Sequence, residues 1–369
     1  MSRPFAWQMA AALVLVLGGM ALETMQGGTA ANIWPALGLV LVAAIAGSLF
    51  ATAPLIEAGI AFIGAHGAAW LLISGIAGHE GNAGPSFYLA LVGAWLLAWR
   101  CVTALSAIKP ASRQAAAALG LIIPVIFGVW ILILWEAIVR GAGIPFLLLP
   151  APSAIGARIV SSASILAADV NQTVFKAVLA GYAIGCISGF AAAVAADRFI
   201  FLRRGLLPIG NMAAALPIIG VAPIMVMWFG FGWESKAAVV VVMTFFPMLV
   251  NTVAGLSSAG HMERDLMRTY ASGYWQMLFK LRLPAAMPFI FNALKINSTL
   301  ALIGAIVAEF FGTPVVGMGF RISTEVGRMN IDMVWAEIAV AAVAGSVFYG
   351  GVALLERAVT FWHPSIRGG

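Results

Sequence analysis

The chain has 369 residues, 62% of them hydrophobic and 9% charged, with a formal net charge of +6. Soluble globular chains carry roughly a quarter charged residues, so a water-wetted globular fold is excluded. The positive excess is no nucleic-acid signal in such a chain; its distribution along the sequence is what informs.

Several apolar stretches are long enough to cross about 30 Å of hydrocarbon as helices. Hydropathy predicts ten crossings: 6–22, 33–51, 55–77, 86–107, 117–139, 172–196, 206–229, 236–256, 286–308 and 334–356. The first resembles a signal peptide, with one arginine before an apolar run. Further membrane segments follow at once, so it is read as a retained helix. Forty glycines suit helices packed closely in lipid. Cys101 and Cys186 fall in separate apolar runs and read as buried small hydrophobes rather than a disulfide.

With the N-terminus inside, thirteen basic residues fall on inner loops or inner helix ends: Arg3, Arg100, Lys109, Arg113, Arg198, Arg203, Arg204, Arg264, Arg268, Lys280, Arg282, Arg357 and Arg367. Six fall outside, at Arg140, Arg158, Lys176, Lys236, Arg321 and Arg328, and Lys295 lies within the ninth crossing. This bias predicts an even number of crossings with both termini cytoplasmic.

Two parts follow from the spacing. Residues 1–108 form a four-helix membrane extension, 109–116 a polar cytoplasmic linker, and 117–369 a six-helix unit. The unit holds an outer stretch, 141–171, containing Leu149-Pro150-Ala151-Pro152-Ser153, with Ser153 the expected N-cap of an interfacial helix. Its inner stretch, 257–284, is the most informative segment of the chain.

At the start of 263–284, Leu266, Thr269 and Tyr270 share one helical face with the preceding Met262, and Arg264, Asp265 and Arg268 share another. The small residues Ala271-Ser272-Gly273 break the run, and a second amphipathic run, Trp275 to Leu283, ends at Pro284. Helix, turn, helix and proline present a short surface helix to a partner, or lay it on lipid headgroups.

This pattern resembles the "EAA" loop of permeases in ATP-binding-cassette importers. Counting back from Leu283-Pro284, Ala271 takes the usual glycine position and Asp265 the usual glutamate position, while Leu266 and Met267 replace two alanines. The resemblance covers roughly 117–369 and is nearest the nitrate/sulfonate/taurine-type permeases, a class including uptake systems for thiamine-precursor pyrimidines and riboflavin. It is carried also by Ala215-Leu216-Pro217, Trp228-Phe229-Gly230-Phe231-Gly232, Phe245-Phe246-Pro247, Asn251-Thr252, Leu283-Pro284-Ala285-Ala286-Met287-Pro288, Leu294-Lys295-Ile296 and Ala308-Glu309-Phe310.

The resemblance implies an all-α integral membrane protein whose type I importer permease core of six helices is preceded by four extra ones. It implies a cytoplasmic ATP-binding subunit that holds ATP and Mg, an extracytoplasmic solute-binding protein, and a second permease copy in a bacterial inner membrane. The solute expected is a small organic or inorganic anion or a small heterocycle. Asp265, Leu266, Met267, Tyr270, Ala271, Gly273 and Pro284 would couple the chain to the ATPase.

No ATPase is legible on the chain itself. A P-loop needs Gly-Lys, and none of Lys109, Lys176, Lys236, Lys280 and Lys295 follows a glycine. His66, His79, His261 and His363 show no metal-ligand spacing, and no nucleophile is indicated. Membrane-buried polar residues are costly and mark pathways or helix contacts. Asn251, Lys295, Asn297, Ser298 and Glu309 are the candidates. Lys295 and Glu309 lie about 21 Å apart along one helix, too far to pair; Lys295 is expected to snorkel toward the cytoplasm. An ion-coupled secondary transporter would show inverted repeats and a buried acid pair, and neither is visible. A membrane scaffold would leave the 263–284 loop unexplained.

Overall fold

The computed structural model describes residues 7–20, 34–213, 217–312 and 316–362. Every regular element there is helical. Seven helical runs are long and apolar enough to cross a membrane, and three shorter apolar helices accompany them, Trp7–Gly19, Pro35–Phe50 and Ile218–Phe229. Each predicted crossing meets an apolar helix. The crossing predicted at 206–229 is two helices, however, and Ala215 and Leu216 between them lie outside the described residues, as do Arg3, His363 and Arg367.

By packing, the chain divides into two compact units, Met1–Ala157 and Arg158–Gly369. The first holds α1 (Trp7–Met20), α2 (Trp34–Phe50), α3 (Pro54–Ile76), α4 (Pro85–Ser106) and α5 (Arg113–Gly141). On α3, Ala58, Ala61, Ala65, Ala68, Leu72 and Ile76 recur at helical spacing and are all buried. They meet Ala90, Ala94, Leu97 and Cys101 of α4, small side chains that let backbones approach closely. The two helices are also tied by an ion pair, Arg100 to Glu57 at 2.5 Å. Only 107–112 separates α4 from α5, so residues 113–116 of the expected linker are already helical, and Ser112 caps α5 by accepting from the Ala115 amide at 3.1 Å. Packing nevertheless continues across it: Ile126, Trp130 and Ala137 of α5 are buried in the same core as α3 and α4.

The chain passes between units through α6 (Pro152–Ser161). Ser153 is not its N-cap. It sits in the first turn, where its amide and hydroxyl donate to Glu136 at 2.9 and 2.7 Å.

The second unit contains α7 (Ala163–Val170), α8 (Leu179–Arg198), α9 (Ile200–Ala213), α10 (Ile218–Phe229), α11 (Trp233–Ser257), α12 (His261–Thr269), α13 (Tyr274–Met277), α14 (Leu283–Glu309), α15 (Met318–Gly327) and α16 (Ile331–Val359). Helix α11 is the hub, packed along α8 and α14. Its contact with α8 rests on Gly181, Gly185 and Gly189, one per turn, which set the α8 backbone directly against α11. A methyl added at Gly181 would stand 2.6 Å from both the Ala237 carbonyl oxygen and Val240 Cβ.

Gly181→Ala is therefore expected to part α8 from α11 and to destabilise the protein by about 1–3 kcal/mol. Gly128→Ala, where an added methyl meets nothing within 4 Å, is expected to be neutral or mildly stabilising, since alanine is the better helix former. Thermal unfolding of the two variants in detergent checks the contrast.

Candidate functional site

Helix α12 is the least buried element of the second unit. None of its residues is buried, and Met262, Leu266 and the adjoining Tyr270 are 84%, 57% and 78% exposed. Three large apolar side chains thus project from a helix that also carries Arg264, Asp265 and Arg268. Asp265 pairs with Arg268 at 3.3 Å on the open surface, which adds little stability.

The end of α12 is built by backbone bonds. The Ala271 amide donates to the Arg268 carbonyl at 2.8 Å and the Ser272 amide to the Met267 carbonyl at 3.1 Å. This pair of bonds is the Schellman closure, whose turning residue is left-handed and usually glycine. Ala271 fills it with φ of +54°. The position matched to the family's usual glycine is thus the one whose geometry glycine satisfies without strain. Gly273 is not the reversing residue: its φ is −71°, and it is the N-cap residue of α13.

Pro284 does not interrupt the chain either. Helix runs unbroken over Tyr274–Glu309, with a wider π-type turn at Leu278–Arg282 immediately before it. Proline has no amide to donate back along the helix, and widening the preceding turn absorbs the loss.

Some of the polar residues within the spanning helices bridge neighbours, and others bond their own backbone. Asn297 donates to the Thr244 carbonyl at 2.8 Å and to Cys186 Sγ at 3.3 Å, joining α14 to α11 and α8. Asn251 donates to the Pro247 carbonyl at 2.8 Å, and the Ser298 hydroxyl to that of Lys295 at 2.7 Å. Lys295 does not snorkel: its Nζ pairs with Glu356 of α16 at 2.7 Å, exchanging a long reach to water for a partner one helix away.

Glu309 belongs to a buried cluster at the end of the core remote from α12. It accepts from Thr173 Oγ1 at 2.8 Å and the Gly319 amide at 2.7 Å. The Met318 amide donates to Thr173 Oγ1 at 2.9 Å and the Gly317 amide to Asp169 at 2.6 Å. Three successive amides at the start of α15, which no helical carbonyl can serve, are thereby answered. Gly317 fits this role in two ways: its φ is +140°, and a Cβ there would meet the Glu309 carboxylate at 2.7 Å. Arg321 bonds Asp169 at 2.9 Å, and Lys236 donates to the Phe231 and Gly312 carbonyls. Glu337, fully buried, lies against Asp169. The expectation that no buried acid pair exists is thus corrected. Asp169 and Glu337 are 168 positions apart in the sequence, and only the packing of α7 on α16 brings them together.

The profile of the family described as "binding-protein-dependent transport system inner membrane component" matches residues 181–361. The riboflavin transport system permease protein RibX of Chloroflexus aurantiacus is 30% identical over 239 residues, 64% of this chain and 88% of that one. The chain belongs to that family. The permease is also similar to the formylaminopyrimidine transport permease protein ThiX of Halalkalibacterium halodurans, 30% identical over 247 residues, 65% of this chain and 95% of that one. A putative aliphatic sulfonates transport permease protein, SsuC of Bacillus subtilis, is 26% identical over 266 residues, 70% and 93% of the two chains. The permease is a multi-pass membrane subunit of an ATP-binding-cassette importer, and ATP hydrolysis in its family takes place on a separate ATPase.

The left-handed alanine makes a direct prediction. Ala271→Gly is expected to stabilise the end of α12 by about 1 kcal/mol, and Ala271→Val to loosen it. Hydrogen exchange of the amides from Arg268 to Gly273, slower in the first variant and faster in the second, checks the pair.

Proposed function

We propose that α12 is the helix on which the ATPase docks. The observation that carries this is an apolar face uncovered on a charged helix whose ends are nonetheless fixed. A helix shaped only by its own core would turn Met262, Leu266 and Tyr270 inward, and large apolar groups held out on a stable surface mark a contact site. In this reading Leu266, Met267 and Tyr270 give the apolar contact, with the aromatic as anchor. Asp265, Arg264 and Arg268 set register through charge. Ala271 and Gly273 shape the turn beside the partner, and Pro284 follows on the helix that runs into the core.

Two copies of the permease then enclose the pathway, the ATPase binds ATP and Mg, and a binding protein delivers solute on the opposite face. Both termini and α12 face the cytoplasm. Residues 117–369 act as the permease domain, with the coupling loop at 257–284, and residues 1–108 as an extension packed on α5. Named transport systems among the relatives favour a small anion or a small heterocycle as solute. Asn251, Lys295, Asn297, Ser298 and Glu309 are the polar groups set around the pathway, and Lys295, Asn297 and Glu309 fix its helices to one another. The lining itself falls to the uncovered face of α14, where Asn292 and Thr299 stand exposed one heptad apart. Exposed polar side chains inside a spanning helix fit water or solute better than lipid.

Replacing Asp265 and Ala271 together with arginine is expected to leave membrane insertion intact and to remove the ATPase from the purified complex. Normal transport by that double variant with the ATPase still attached would make α12 an ordinary interfacial helix. Reporter domains fused after Gly369 and within 109–114 are expected to register cytoplasm, and an extracytoplasmic signal from either would overturn the orientation.

A further inference from the structure

One of the two connections of α12 to the core is built around a buried ion pair. Arg282 lies on the π-type turn that leads into α14. Its Nη2 bonds Asp197 Oδ1 at 2.5 Å and its Nη1 bonds Oδ2 at 2.7 Å, while Nε donates to the Leu256 carbonyl at 2.9 Å. Asp197 is the penultimate residue of α8, and Leu256 the penultimate residue of α11. One guanidinium therefore grips the ends of two helices from a third. The aspartate side chain is 2% exposed and the arginine 12%.

Two further contacts complete the joint. The hydroxyl of Tyr274, the first residue of α13, donates to the same Asp197 Oδ2 at 2.9 Å, and the Arg198 guanidinium lies 5.0 Å over its ring. On the other side of α12, Arg264 Nη2 donates to the Ser257 carbonyl at 2.6 Å. Both last carbonyls of α11 are thus held by arginines that flank or belong to the exposed helix.

A desolvated ion pair contributes little net stability against an apolar replacement of the same shape. A bidentate fork instead gives direction, because two parallel bonds to one carboxylate and a third from Nε to a different helix resist rotation as well as separation. We propose that Asp197 and Arg282 form the joint through which a displacement of α12 reaches α8 and α11 together, so that nucleotide binding on the partner moves the pathway helices. They are positioning residues, and the proposal rests on the reading of α12 as the docking helix.

The test uses the full chain bearing Thr299→Cys, with its ATPase co-expressed. Labelling of that cysteine by a membrane-impermeant maleimide is compared without nucleotide and with MgATP trapped by vanadate. The native thiols Cys101 and Cys186 are buried. In the otherwise unaltered chain the labelling rate is expected to change several-fold on trapping. Arg282→Lys keeps the charge and loses the fork; it is expected to retain the ATPase at unchanged stoichiometry and to lose the nucleotide-dependent change. Retention of the change in Arg282→Lys overturns the joint. If Arg282→Lys does not accumulate, the exchanged pair Asp197→Arg with Arg282→Asp decides. Recovery of accumulation together with the labelling change supports the joint, and recovery without it, or no accumulation, makes the pair structural only. Failure of the unaltered chain to hold the ATPase overturns the docking reading itself, and the joint with it.

Discussion

Hydrocarbon offers no hydrogen bond to a buried polar group, so every such group in a spanning helix must find its partner on a neighbouring helix or its own backbone. The permease answers much of this demand with a small set of cross-helix ties. Arg100 joins α4 to Glu57 of α3, Lys295 joins α14 to Glu356 of α16, Asn297 joins α14 to α11, and Arg282 joins the start of α14 to Asp197 of α8. Between these ties the packing is carried by alanine and glycine. Van der Waals contact between close backbones replaces the hydrophobic drive that water would otherwise supply.

The ties are placed unevenly, and that placement organises the second unit. At the end remote from α12, Asp169, Thr173 and Glu309 hold the first amides of α15 while Arg321 neutralises Asp169. At the other end, arginines hold the last carbonyls of α11. The middle of α8 against α11 is nearly free of polar contacts and rests on three glycines. Where α8 meets α11, charge therefore fixes the helix ends and shape fixes their middles.

Much of this fold was legible in the sequence, because a spanning helix is written locally, in twenty or so consecutive apolar residues. The amphipathic pattern of 263–284 and its break at Ala271-Ser272-Gly273 were legible for the same reason: a helix end is decided by backbone bonds spanning six residues. What stayed hidden depends on how each helix is rotated about its axis. Lys295 meets Glu356 across 61 positions, Asp197 meets Arg282 across 85, and Arg321 meets Asp169 across 152. Hydropathy averages over a helix and discards that rotation. The reach of the first packing unit past residue 117 was hidden likewise, since α5 reads as apolar all round and only its neighbours reveal which face it buries.

The unbroken run through Pro284 has a mechanical consequence. Tyr274–Glu309 spans 36 residues, or about 54 Å at the rise of an α-helix. A rigid rod of that length, tilted by about 5° at one end, displaces the other by roughly 5 Å. That is close to the pitch of one helical turn. A break at Pro284 would have spent the same tilt in a hinge. By widening one turn instead of breaking, the chain keeps one helix continuous from beside α12 to Glu309.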